Sequence, residues 1–167
     1  NAGPSGVTIV IMKKELIDNA NEGLPSMLQY KIHSDNNSLY NTPPTFGIYI
    51  IQLIMKWIKK RGGIEAIQKF NEEKAALLYD AIDNSNGFYV VHAQKDSRSL
   101  MNVSFNIKDK NAELEAKLIK ETTDAGMIGL KGHRSVGGLR ASIYNAMTKE
   151  GIQALVDLMN KFAKENS

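Results

Sequence analysis

The order in which apolar periodicity changes along this chain constrains its fold most. From residue 88 onward, short β-branched or aromatic runs alternate with segments of helical spacing. Residues 88–93 (FYVVHA) and 100–107 (LMNVSFNI) predict strands joined by a charged turn. Residues 112–125 predict a helix, with Asn111 as the cap whose side chain would satisfy the first unpaired N–H groups. Residues 127–130 predict a short strand, 131–138 a glycine-rich loop, and 139–144 a further strand. From about Lys149, the residues Ile152, Leu155, Val156, Met159 and Phe162 recur on one helical face. The order β-β-α-β-β-α predicts a compact α/β sandwich with helices on one side of a sheet.

The earlier third reads differently. Residues 7–12 (VTIVIM) predict a buried strand, and residues 15–21 a brief helix closed by Gly23 and Pro25. Residues 30–41 form a polar run dense in Ser, Asn and Asp, which predicts a loop of a length more often functional than idle. Asn41-Thr42-Pro43-Pro44 predicts a helix start, because Asn and Thr are good caps and Pro is tolerated in a first turn. That helix should run to about Lys60 and break at Gly62-Gly63. A second helix over residues 64–82 carries Ile67, Phe70, Ala75, Leu78 and Ile82 near helical spacing, and 84–87 (NSNG) stops it. A boundary at this break would separate residues 1–62, the incomplete tail of a larger domain, from a small C-terminal domain over 63–167. The chain opens on Asn1 without an initiator Met, so further chain is expected upstream.

Charge and composition exclude several function classes. The 21 basic and 18 acidic residues leave a net charge of +3, and the two signs are interleaved, so no basic block is long enough to track a nucleic-acid backbone. The densest basic cluster, Lys56, Lys59, Lys60 and Arg61, reads as a solvated helix end. Absence of cysteine rules out disulfides and thiolate metal sites, and fits a reducing, cytoplasmic compartment. No apolar run approaches the roughly 20 residues that a membrane helix needs. His33, His92 and His133 lack metal-ligand spacing, and neither a nucleophile elbow nor a dinucleotide fingerprint is present.

Two constellations remain. His133 and Arg134 are followed six residues later by Arg140, around Gly137-Gly138. Guanidinium groups grip carboxylate and phosphate with two parallel hydrogen bonds, and paired glycines allow close backbone approach. The group therefore suits a small multiply charged anion, although loop arginines also serve as solvated or ion-paired surface residues. Asn41 and Thr42, at a helix start, suit an anion held by free N–H groups and the helix dipole, or simply a capped helix.

Taken together, Asn1-x-Gly3-Pro4-x-Gly6, then residues 40–46 (YNTPPTF) and residues 131–146 (KGHRSVGGLRASIYNA), resemble the phosphoserine aminotransferase family. The resemblance extends over the chain and includes residues 83–85 and 101–103. It implies an α/β fold of the pyridoxal-phosphate (PLP) dependent transferase kind, with the tail of the large domain followed by the small C-terminal domain. It further implies transamination between glutamate and 3-phosphohydroxypyruvate, giving phosphoserine and 2-oxoglutarate in serine biosynthesis. In such a protein His133 and Arg134 would help hold the substrate phosphate, and Arg140 the α-carboxylate that both substrates share. Asn41 and Thr42 would reach the phosphate of the neighbouring subunit's PLP, so a homodimer with shared sites is implied. The lysine that binds PLP covalently is expected immediately before Asn1, so this chain should carry no catalytic residue of its own. Other PLP enzymes of the subgroup, such as alanine–glyoxylate-type aminotransferases or cysteine desulfurases, fit less well because their substrates lack a phosphate for His133 and Arg134. A non-catalytic fragment or stand-alone anion-binding module is the alternative from another class.

Overall fold

The computed structural model describes residues 1–134 and 137–167; the loop positions Ser135 and Val136, part of the predicted glycine-rich motif, lie outside the described residues. The chain divides into two compact units, Ala2–Lys60 and Arg61–Ser167, with Asn1 belonging to the second.

In the first unit, α1 (Lys14–Asp18) and α2 (Tyr30–Asp35) are short, and α3 (Thr45–Lys60) is the main element. The predicted strand at 7–12 is not formed: these residues have no regular structure, and Ile11 is 93% exposed. A β-branched apolar run favours a ladder but cannot supply the second strand, and no strand among the described residues pairs with it. Half of the predicted polar loop is instead α2, after which Asn37 and Ser38 turn the chain with positive φ. Helix α3 begins at Thr45 rather than at Asn41-Thr42, because the carbonyl of Pro44 accepts the first helical bond, from the Ile48 N–H at 3.1 Å.

In the second unit, α4 (Gly63–Asp83) follows a break at Gly62, whose φ of 98° suits glycine and few other residues. Strands β1 (Tyr89–Val91), β2 (Asn102–Ile107) and β3 (Leu139–Ser142) form an antiparallel sheet in the order β1-β2-β3. Helix α5 (Ala112–Asp124) connects β2 to β3 through a loop, and α6 (Lys149–Asn166) ends the chain. Asn111 caps α5 as expected: its side-chain oxygen accepts from the N–H groups of Glu113 and Leu114, each at 3.1 Å. The predicted strand at 127–130 is absent. Gly126 and Gly129 both take positive φ, so the chain turns twice there and only Lys131 bridges to Leu139.

Alternation along β2 decides where the core sits. Val103, Phe105 and Ile107 are buried, while Asn102, Ser104 and Asn106 point to the other face and stay half-exposed. Register carries the same rule into β3: Ser104 faces Arg140 and Asn102 faces Ser142, whereas Leu139 and Ala141 join the buried side. Leu78 and Ile82 of α4, Leu118 of α5 and the predicted stripe of α6 pack on that side. An aromatic group binds the layers together: Tyr89 lies edge-on to Phe88 at 4.9 Å and to Phe105 at 5.7 Å, and its hydroxyl donates to the Met159 carbonyl at 2.8 Å. Burying each such side chain contributes about 1.5–3 kcal/mol. The apolar layer fixes which face of the sheet is left polar, and Arg140 is on that face.

Candidate anion site

Three hydrogen bonds shape the loop that follows residue 130. The Arg140 N–H donates to the Leu130 carbonyl at 2.7 Å, the Gly132 N–H to Gly138 at 2.9 Å, and the Gly137 N–H to His133 at 2.8 Å. The loop is thus tied at its foot, where Arg140 sits, and presents His133 and Arg134 as exposed side chains toward its tip. Two glycines make this closure possible. A Cβ on Gly132 would overlap the Gly137 carbonyl oxygen, and one on Gly138, at φ 66°, would lie 2.8 Å from the Phe105 carbonyl oxygen and overlap the Asn106 amide. Any larger residue would push the loop off the sheet.

Arg140 itself is half-buried on the polar face, and its Nε is buried with no hydrogen-bond partner among the described residues. Leaving a buried donor unpaired costs about 1–3 kcal/mol, and more when the donor is charged. Its neighbours on the face are neutral: the Ser142 hydroxyl donates to the Asn102 amide oxygen at 3.0 Å, and the Tyr144 hydroxyl approaches the same oxygen at 3.5 Å. A cation with an unfilled donor beside uncharged polar groups is arranged to receive an anion. Loop closure places His133 and Arg134 on the loop whose foot carries Arg140.

Asn41 and Thr42 belong to the other unit, Ala2–Lys60. Because α3 starts at Thr45, they do not cap it, which corrects the capping reading. Both are exposed, and the Asn41 amide donates to the Thr42 carbonyl at 3.2 Å. Their amide and hydroxyl remain chemically suited to a phosphate, as donors at the approach to a helix N-terminus.

Sequence reading missed two polar residues behind the site. Asn71 and Lys74 of α4 are buried, at 4% and 0% exposure. The available signal was that both occupy the apolar stripe of α4, one turn ahead of Ala75 and Leu78. Stripe positions filled by polar side chains mark buried hydrogen bonds.

The family model described as aminotransferase class-V matches residues 1–155. The chain belongs to the class-V aminotransferase family. It is 54% identical over 99% of its length to phosphoserine aminotransferase of Lysinibacillus sphaericus, and 56% identical over its whole length to that of Alkalihalobacillus alcalophilus. It covers 45% of each of these relatives, and so spans somewhat less than half of their length. Among solved structures, phosphoserine aminotransferase from Bacillus circulans subsp. alkalophilus matches with a TM-score of 0.94 and 51% identity, over 100% of this chain and 46% of that one. PLP-bound phosphoserine aminotransferase from Trichomonas vaginalis matches with a TM-score of 0.75 and 42% identity, over 83% of this chain and 39% of that one. The α/β fold is therefore that of the matched part of these PLP-dependent transferases. No described helix is long and apolar enough to cross a membrane.

Proposed function

We propose that this chain supplies the anion-binding part of a PLP-dependent phosphoserine aminotransferase, in which an amino group passes between glutamate and 3-phosphohydroxypyruvate. One observation carries the reading: Arg140, half-buried with an unfilled Nε, stands at the foot of the loop that presents His133 and Arg134. The relatives named phosphoserine aminotransferase support the substrate assignment.

Residue roles follow from charge and placement. Arg140 holds the α-carboxylate common to both substrates, where a fixed planar donor pair is wanted. His133 and Arg134, exposed on the loop, meet the part that differs: a phosphate in one substrate, a side-chain carboxylate in the other. Histidine suits that double duty because it changes charge near neutral pH. PLP, when bound, supplies the electron sink that lets the amino group transfer. Asn41 and Thr42 would donate to its phosphate from the neighbouring subunit of a homodimer, and the covalent lysine is expected immediately before Asn1. Residues 1–62 would then be the end of the large PLP-binding domain and 63–167 the small C-terminal domain, in a cytoplasmic enzyme of serine biosynthesis.

Steady-state kinetics of the complete protein test this. Turnover of glutamate with 3-phosphohydroxypyruvate is expected, and Arg140→Ala should lower kcat/KM for both substrates by about 100-fold, as loss of a charge-assisted pair does. His133→Ala should hurt the phosphorylated substrate more than glutamate. Equal turnover of an unphosphorylated keto acid, or equal losses in the two half-reactions for His133→Ala, would overturn the role given to the loop.

A further inference from the structure

Among the described residues Lys74 heads the fully buried side chains by size, and its charge faces no carboxylate. Its Nζ donates to the Tyr144 carbonyl at 2.6 Å and the Met147 carbonyl at 3.2 Å, and lies 5.1 Å from the centre of the Phe70 ring. Glu73, the adjacent acid, pairs with Lys149 instead. Burial draws the Lys74 ammonium below the ordinary lysine range. One turn earlier, the Asn71 side-chain amide donates to the Asn145 side-chain oxygen at 2.8 Å. The Asn145 N–H in turn donates to the Asn1 side-chain oxygen at 3.3 Å.

Residues 144–147 join β3 to α6, so α4 grips this short turn through both carbonyls of Tyr144 and Met147 and through the Asn145 side chain. An apolar side chain of lysine's length would fill the same space without the cost of burying a charge. What the lysine adds is geometry: two charge-assisted bonds to backbone oxygens, which fix the path of the turn.

That path matters because of Arg140. No side-chain partner fixes its guanidinium among the described residues, so its position follows from β3. On one side β3 runs into the loop after residue 130, held at its foot by backbone hydrogen bonds alone. On the other it runs through Ile143, whose N–H donates to Met101 at 2.8 Å, directly into the gripped turn. We propose that Asn71 and Lys74 are positioning residues for the Arg140 anion anchor, acting through residues 144–147. The proposal rests on the functional reading above for the identity of the substrates.

The test uses the complete protein with Asn71→Leu, Lys74→Met, Asn145→Leu and Asn145→Asp. Asn71→Leu should raise KM for glutamate and for 3-phosphohydroxypyruvate together, by about ten-fold, with kcat within about three-fold of the parent, because a shifted anchor affects the carboxylate both share. Asn145→Leu should behave likewise. Asn145→Asp, which keeps an acceptor for the Asn71 amide, should return KM to within about two-fold. Hydrogen exchange of the peptide spanning 144–147 should quicken about ten-fold in Asn71→Leu and Lys74→Met, while α5 keeps its protection. A fall in kcat at constant KM, with the two leucine variants and the aspartate variant alike, would show a merely structural role and overturn the proposal. Should Lys74→Met fail to fold, the Asn71 and Asn145 variants decide the matter. If the parent protein does not turn over this substrate pair, the functional reading fails on its own; unchanged exchange at 144–147 in Asn71→Leu would then separately sink the positioning role.

Discussion

The two units of this chain meet the demand for burial in opposite ways. In Arg61–Ser167 the apolar residues of two amphipathic helices, a capped helix and an alternating sheet converge on one core, with Leu78, Val103, Leu118 and Met159 all at 0% exposure. In Ala2–Lys60 the only buried residue is Gly47, while Ile9, Ile11, Phe46 and Tyr49 are more than half exposed. Apolar surface of this extent is what a further segment or subunit covers in a folded assembly. The unit with a closed core carries Arg140, the anion anchor proposed above; the unit with an open one carries Asn41 and Thr42.

Mutation can break or sharpen that contrast. The largest effect should be Phe105→Ala, which empties the centre of the closed core and should destabilise the chain by about 3–5 kcal/mol in chemical denaturation. Gly138→Ala should cost about 1–3 kcal/mol, because it strains a left-handed φ and presses on the Phe105 carbonyl. Asn111→Ala removes the cap of α5 and should cost about 1 kcal/mol in the same assay. A smaller contribution comes from Asp83, whose carboxylate accepts from Arg98 at 2.7 and 2.8 Å and is held below its ordinary value by that bond. Since the folded state favours the ionised carboxylate, its stabilisation is full above the unfolded value near 3.8 and fades as pH falls through the lower folded one. Acid titration of Asp83→Asn should therefore lose that part of the pH dependence, worth about 1 kcal/mol or less for a pair this exposed. The smallest effect should be Ile11→Ser, within about 0.5 kcal/mol in this chain, because the side chain is already in water. A loss from Ile11→Ser comparable with that from Phe105→Ala would erase the contrast between the units.

Periodicity made most of the closed core legible. The stripe of α6 and the alternation of β2 are both strong signals, and both name buried residues correctly. Residues 7–12 misled because hydrophobicity reports a wish for burial, not the presence of a strand to pair with. Residues 127–130 misled because two left-handed glycines override a short apolar run. At Asn41-Thr42 a good cap pair lost to the Pro44 carbonyl, which starts the helix later. In the candidate site, the grouping of His133, Arg134 and Arg140 was readable only as far as all three belong to one loop and its foot. The grip of Lys74 on Tyr144 was not, since 70 residues separate the partners and a lone lysine in an amphipathic helix reads as solvated.

The pairing of Ser104 with Arg140 ties the placement of the proposed anchor to folding fidelity. Sliding β3 by one residue against β2 would turn Arg140 toward Phe105 and Val103 and send Leu139 and Ala141 into water. A misaligned anchor therefore cannot persist in an otherwise sound molecule, because the error that misplaces it also dismantles the core. The sheet proofreads the placement of Arg140: every copy stable enough to survive presents the guanidinium on the polar side.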